Sequence, residues 1–134
     1  MAKTNTITYI AFHTSNDASD FGDTSITSYQ GTACASTVRA VQAHGYNTDF
    51  VNEIDYVTVA STGNASDFGD QLNSPSNMSS CSDGTRGEWW SGSLDNSYSR
   101  DNIFYITIAS TGNATDGANA SAQGFLANSA TSGT

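Results

Sequence analysis

The chain has 134 residues, enough for one domain with its own core, but its 37% hydrophobic and 13% charged residues are both low shares. Four Lys and Arg stand against thirteen Asp and Glu, giving a net charge of −9, so the chain has too few cations to bind nucleic acid or an anionic membrane surface. Polarity comes instead from Ser, Thr, Asn and Gly, a mixture typical of short strands joined by many turns.

The first residues, MAKTNTITYIAFH, contain neither the long apolar segment nor the small-residue cleavage site of a signal peptide. No apolar run in the chain approaches the roughly 20 residues of a membrane span. We therefore expect the protein to be made and folded in a cytoplasm.

One phrase occurs three times along the chain. It begins at Tyr9 as YIAFHTSNDASDFGD, at Tyr56 as YVTVASTGNASDFGD and at Tyr105 as YITIASTGNATDG. The first two copies are 47 positions apart, an offset that also relates Cys34 to Cys81, and the third follows 49 positions later. Internal repetition with such a period is typical of propellers and other arrays. The sequence predicts a single repeat domain over residues 1–134, with units of approximately 1–47, 48–96 and 97–134, the third truncated.

Each unit has the pattern of β-strands. DYVTVAS alternates with a period of two, STGNA supplies turn residues, and SDFGD indicates a second short strand anchored by Phe68. A third strand is predicted over CSDGTRGEWWSG and its counterpart CASTVRAVQAHG, and a fourth around NEID or RDNI. No segment has convincing helical periodicity, so we predict an all-β fold.

The repeated large side chains are the candidate framework of this fold. Two arginines recur at equivalent places in an acidic chain, and we expect them to pair with a repeated carboxylate such as Asp20 or Asp67. The predicted framework residues are Tyr9, Tyr56, Tyr105, Phe21, Phe68, Arg39 and Arg86.

The phrase Y-[VI]-T-[IV]-A-S-T-G-N-A-[ST]-D-F-G-D, followed by a Cys and then T-R-G, resembles tandem repeats in predicted structural proteins of marine bacteriophages and related environmental sequences. The resemblance is clearest from Ile54 to Gly92. Those repeats look like kelch-type propeller blades, so the resemblance implies blade-like units and a structural role in a virion. The double-glycine strand of the family is reduced here to AVQAHG and EWWSG.

A propeller closes with roughly 4–8 blades, and this chain has at most three repeats. Open sheet edges would have to be paired, so we expect self-association into a ring or a fibre, with contacts at residues 4–9 and 123–134. The alternative is a β-trefoil or a β-prism, each of which closes three units within one chain.

Few residues suggest chemistry. Asp17, Asp20, Asp23, Asp67 and Asp70 are weak Ca²⁺ candidates, although aspartates at such spacing more often form turns. Cys34 and Cys81 are expected to be small buried hydrophobes, and we predict neither a disulfide nor a zinc site. Trp89 and Trp90 should point to opposite faces of a strand, one into the core and one toward a ligand or an interface. No Ser/His/Asp arrangement follows from the spacing, and no cofactor is predicted.

These patterns predict a non-enzymatic structural protein, a capsid decoration or fibre-like appendage of a phage virion, that self-assembles through the edges of its β-repeats. Its expected partners are itself, other virion proteins or a cell-surface glycan, but neither nucleic acid nor a membrane. The alternative is a carbohydrate-binding, lectin-like module that uses Trp89 or Trp90.

Overall fold

A computed structural model describes residues 4–90, 92 and 101–121 of the chain. Over these residues the prediction of an all-β fold is confirmed, because the structure contains ten strands and no helix. The strands are β1 (Thr6–Tyr9), β2 (Ser19–Asp23), β3 (Thr32–Ala35), β4 (Arg39–Ala43), β5 (Glu53–Thr58), β6 (Ser66–Asp70), β7 (Ser79–Ser82), β8 (Arg86–Trp90), β9 (Asn102–Thr107) and β10 (Thr115–Asn119).

The strands form three antiparallel sheets. Strands β3 to β6 make one four-stranded meander and β7 to β10 make another, whereas β1 and β2 form a separate two-stranded sheet. A four-stranded antiparallel meander is the architecture of a propeller blade. Strand β3 packs against β7 and β8, so the two meanders are neighbours that meet along their first strands.

Two strand predictions are wrong in detail. CSDGTRGEWWSG was expected to form one strand, but it contains the last two residues of β7, a turn at residues 83–85 and all of β8. Asp83 makes this turn by accepting hydrogen bonds at Oδ1 from the backbone N–H groups of Thr85 and Arg86, each 2.8 Å long. NEID is not a separate fourth strand, because β5 runs from Glu53 without a break into the YVT of the phrase.

The repeats fold alike down to local irregularities. The register between β1 and β2 shifts between Ile7 and Thr8, and the register between β5 and β6 shifts at the equivalent place, between Ile54 and Asp55. A β-bulge therefore recurs 47 residues later. Such correspondence allows each sheet to be compared residue by residue with the next.

The phrase itself forms the contact between successive sheets. The backbone N–H of Gly63 donates to the carbonyl of Phe21 at 2.7 Å, and that of Ala65 donates to the carbonyl of Asp23 at 2.8 Å. The Asp23 N–H donates in turn to Oδ1 of Asn64 at 3.1 Å. The TGNA segment after one strand thus docks on the FGD segment of the preceding sheet.

The same contact recurs in the next pair of sheets. Gly112 donates to Phe68 at 2.7 Å, and Asn113 Oδ1 accepts from the Asp70 N–H at 3.0 Å. A Cβ added to Gly69 would lie 2.6 Å from the carbonyl oxygen of Gly112, so only glycine permits this approach. The middle copy carries both halves of this contact, whereas the first copy supplies only the FGD half and the third only the TGNA half.

The core lies within and between the two meanders. Its apolar side chains include Val41, Ile54, Phe68, Trp89, Phe104, Ile106 and Ile108. Cys34 of β3 fits against Gly87 of β8, where any side chain at residue 87 would meet its sulfur. Hydroxyls also join the sheets, since Thr32 Oγ1 donates to Ser80 Oγ at 2.7 Å.

Candidate functional site

Each meander stacks an arginine on a tyrosine of the neighbouring strand. The Cζ atom of Arg39 on β4 lies 4.4 Å from the ring centroid of Tyr56 on β5, and that of Arg86 on β8 lies 3.6 Å from the ring of Tyr105 on β9. Such a cation–π contact contributes about 0.5–1 kcal/mol at an exposed site. The arginines were predicted to pair with Asp20 or Asp67, but in the structure they lie over aromatic rings.

These arginines also make polar contacts that differ between the two meanders. The Nη1 atom of Arg39 donates to the carbonyl of Ile108 in the second meander at 3.1 Å. The Nε atom of Arg86 lies 2.9 Å from Oε1 of Glu88 on its own strand. The stacking on tyrosine is therefore the feature that the two complete meanders share.

The first sheet has the aromatic pair of the first meander, and no described strand covers it. Tyr9 and Phe21 meet edge to face with centroids 5.8 Å apart, close to the 6.0 Å between Tyr56 and Phe68. Among the described residues β1 pairs with β2 alone, and Tyr9 is 47% exposed. The ring that receives an arginine in the complete meanders is accessible here.

Strand β1 is also shorter than its equivalents. It has four residues where β5 and β9 have six, and the two missing positions are those of Ile10 and Ala11. In the complete meander these positions correspond to Val57 and Thr58, which pair with Ala40 and Arg39 of β4. Strand β1 therefore ends just before the two positions at which its equivalent, β5, still pairs with β4.

The first meander shows which backbone groups of β1 point away from β2. The His44 N–H donates to the carbonyl of Glu53, and the Val59 N–H donates to that of Val38, so the backbone N–H and C=O groups of odd-numbered residues from 53 to 59 point toward β4. The equivalent residues of the first unit are Thr6, Thr8, Ile10 and Phe12. We call the backbone and side chains of residues 6–12 the β1 edge.

The β1 edge ends in an apolar tip. Ile10 is 58% exposed and Phe12 is 87% exposed, and His13 beside them has a positive φ of 70°. Large apolar side chains on a free strand edge favour pairing with another chain, because burial removes both the apolar surface and the unpaired backbone groups from water.

The two halves of the phrase contact are lost in opposite units. The first unit has Asn16 and Asp17 where the second has Gly63 and Asn64, so it lacks the docking loop. In the third unit, β10 reads TDGAN where β6 reads SDFGD, and all five residues of β10 are exposed. The Phe-Gly pair of SDFGD is replaced by Gly-Ala in TDGAN, so the third unit has lost the residues on which a following docking loop would pack. Among the described surfaces, the β1 edge is the one that most resembles a repeat contact without its partner.

A buried polar cluster, which the spacing did not predict, lies between the first sheet and the first meander. His44 is 0% exposed, its Nδ1 is 2.5 Å from Ser28 Oγ and its Nε2 is 2.9 Å from Asp55 Oδ2. Asp55 also accepts from the backbone N–H of Ser25 at 2.7 Å and from its hydroxyl at 2.9 Å. Burial raises the pKa of Asp55, but the hydrogen bonds from His44 and Ser25 outweigh it and hold that pKa below its usual value.

The second interface has different residues at the equivalent places. Ser25, Ser28, His44 and Asp55 correspond to Leu72, Pro75, Ser91 and Phe104, so the polar cluster is not part of the shared framework. No pattern in the sequence indicates that these four residues meet, because they come from a connecting segment, the residue after β4 and the middle of β5. Only the comparison of His44 and Asp55 with their repeat equivalents marks them as unusual.

Ser28, His44 and Asp55 are the residue types of a hydrolase triad, but the ring nitrogens are exchanged: a triad uses Nε2 for the serine and Nδ1 for the aspartate, whereas here Nδ1 contacts Ser28 and Nε2 contacts Asp55. A cleft of about 200 Å³ lies beside the cluster, lined by residues of β1, β4 and β5 that are mostly apolar, and Asp55 reaches it. Ser28, the side chain that would have to attack a substrate, does not line the cleft. The geometry therefore fits a polar contact that joins the first sheet to the first meander better than it fits a nucleophilic site. We call this cluster of Ser25, Ser28, His44 and Asp55 the latch.

Both cysteines are free, and Cys34 belongs to the core while Cys81 is half-buried. Burial, with a smaller contribution from Cys81, raises the pKa of Cys34 to about 11. Burial also raises the pKa of Cys81, and the carboxylates of Glu88 and Asp83 add to that shift. Both therefore remain protonated at neutral pH, which suits packing rather than nucleophilic chemistry.

The tryptophans divide as predicted for adjacent strand residues. Trp89 is 1% exposed and belongs to the core, so it provides no platform for a sugar, whereas Trp90 is half-buried. The five aspartates considered for Ca²⁺ are not brought together, because the described residues contain no group of three His, Cys, Asp or Glu side chains that could hold a metal ion.

Among the described residues no helix is long and apolar enough to cross a membrane. A comparison of the chain with models of known protein families found no match, and a comparison with curated protein sequences found none either.

Proposed function

We propose that the protein is a non-enzymatic structural module that assembles by strand pairing at the edges of its β-repeats. One observation carries the proposal: among the described residues β1 pairs with β2 alone, and the β1 edge presents an accessible Tyr9 ring and the exposed side chains of Ile10 and Phe12. An exposed apolar strand edge is a template for another chain, and natural proteins blunt such edges unless they use them.

The setting proposed for this assembly is a phage virion, as a capsid decoration or a fibre-like appendage made in the host cytoplasm. Support comes from the resemblance of the phrase to repeats in phage structural proteins. The phrase joins sheet to sheet, as in an array of blades. The partners would be further copies of the chain or other virion proteins.

The test is size-exclusion chromatography with light scattering from low to high micromolar concentration, followed by electron microscopy of any large species. We expect particles well above the 14.0 kDa chain, as rings, shells or fibres. A monomer throughout this range, alone and with the co-purified proteins of its source, would overturn the proposal.

Two substitutions at one position assign the assembly to the edge. Ile10→Pro removes an N–H that faces away from β2 and lies beyond the paired residues of β1, so it should block strand addition while the β1–β2 sheet stays intact. Ile10→Val keeps the N–H and an apolar β-branched side chain and should assemble nearly as wild type does. Equal assembly of the two variants would place the contact elsewhere.

A further inference from the structure

We infer that the β1 edge binds an antiparallel strand that carries an arginine, from a partner chain with a cationic segment, and that this guanidinium stacks on Tyr9. The inference rests on the proposed function, since it names the chemistry of the partner at the same edge. Its basis is the residue-by-residue equivalence of the first sheet with the two complete meanders.

The receiving ring is already in position. Tyr9 and Phe21 meet at 87° with centroids 5.8 Å apart, and Tyr56 and Phe68 meet at 80° with centroids 6.0 Å apart. In the complete meander the same ring has a guanidinium over its face at 4.4 Å. Phe21 thus holds Tyr9 in the orientation in which Tyr56 receives its arginine, before any partner arrives.

The register of the incoming strand follows from β4. Strand β4 pairs Arg39 with Thr58 and Val41 with Tyr56, so its arginine reaches the tyrosine diagonally. Shifted by one repeat, the partner's arginine lies opposite Ala11, and the residue two positions further along lies opposite Tyr9. The partner's backbone then pairs with Thr8, Ile10 and Phe12.

Charge favours the same partner. The chain carries a net charge of −9, and Asp17 and Asp20 are exposed beside this sheet. Of its three arginines, Arg39 and Arg86 already stack on tyrosines within the chain. A strand with positive charge would approach this acidic surface faster and bind it more tightly at low salt.

The experiment adds a synthetic peptide with the sequence of residues 36–44, STVRAVQAH, to the intact protein and follows backbone amide shifts by NMR. We expect shifts centred on residues 6–12. A peptide in which Gln replaces the arginine should bind about fivefold more weakly, as expected for the loss of one cation–π contact.

A double-mutant cycle separates stacking from simple strand addition. Tyr9→Leu should weaken binding of the arginine peptide by the same factor but leave binding of the Gln peptide unchanged. Ile10→Pro should abolish binding of both peptides. Unchanged amide shifts in the two meanders show that each variant is folded outside the edge.

The outcomes distinguish this inference from the function on which it rests. Binding that is indifferent to the arginine and to Tyr9, shifts centred elsewhere, or no shift at millimolar peptide would each overturn the arginine-bearing partner. If the chain still assembles and Ile10→Pro prevents it, the proposed function stands without this inference. A chain that neither assembles nor captures the peptide contradicts both.

Discussion

Removal of the Asp55 carboxylate should be one of the most destabilising single changes in this chain. Three donors converge on that side chain, and one of them, His44 Nε2, is completely buried. Asp55→Ala leaves this donor without an acceptor and without access to water. Because Ser25 is exposed, water can replace the carboxylate at that residue, so most of the loss comes from His44.

The expected loss is about 3 kcal/mol, which combines a broken charge-assisted hydrogen bond with an unsatisfied buried donor. That is a large share of the roughly 5–15 kcal/mol that stabilises a typical domain. Urea unfolding followed by tryptophan fluorescence measures it, with Asp67→Ala as the control because Asp67 is exposed. If Asp55→Ala costs no more than Asp67→Ala, within about 0.5 kcal/mol, the latch has no energetic role.

The pH dependence of the free energy of unfolding tests the same Asp55 carboxylate in a second way. The pKa of Asp55 is lower in the folded protein than in the unfolded chain, so its contribution is complete well above the unfolded pKa of about 3.9. The contribution is lost as the pH falls through the folded pKa, because the unfolded chain then binds the proton more readily. The difference in stability between wild type and Asp55→Ala should therefore shrink below about pH 5. A difference that stays constant to low pH would contradict the assignment.

Three further outcomes follow from the packing. Gly87→Ala places a Cβ 2.3 Å from Cys34 Sγ, so it should cost about 1–3 kcal/mol in urea unfolding, and Cys34→Ala should restore most of that loss; no rescue would mean that the clash lies elsewhere. Gly69→Ala should destabilise more than Gly84→Ala, because both have a positive φ but only Gly69 meets backbone of the next sheet; equal melting points would refute the phrase contact. With a thiol reagent at neutral pH, Cys34 should react only after unfolding while Cys81 reacts slowly in the folded state, and fast labelling of both would contradict their burial.

The sequence was sufficient for the fold class and for the repeat. Alternation in DYVTVAS, turn residues in STGNA and the constant offset between Phe21 and Phe68 all report local structure, and local structure is what such patterns encode. Alternation along a strand also indicated that one of the two adjacent tryptophans lies in the core, and the structure identifies it as Trp89.

Contacts between units were harder to predict. The arginines were assigned to carboxylates because the chain is acidic, yet Arg39 lies diagonally across from Tyr56 in the strand register, and the spacing alone does not show that register. The latch was missed for the same reason, because Ser28, His44 and Asp55 come together only after three segments have paired. The predicted contacts at residues 123–134 lie outside the described residues.

The sheets do not coincide with the units of the repeat. Residues 32–70 form one sheet, and they combine the second half of the first unit with the first half of the second. A gene that gained one more period would therefore complete the sheet left open by the copy before it and begin the sheet for the copy after it. Duplication of one period lengthens the array and brings the backbone contact of the phrase with it, so the number of sheets can change in evolution without a new way of joining them.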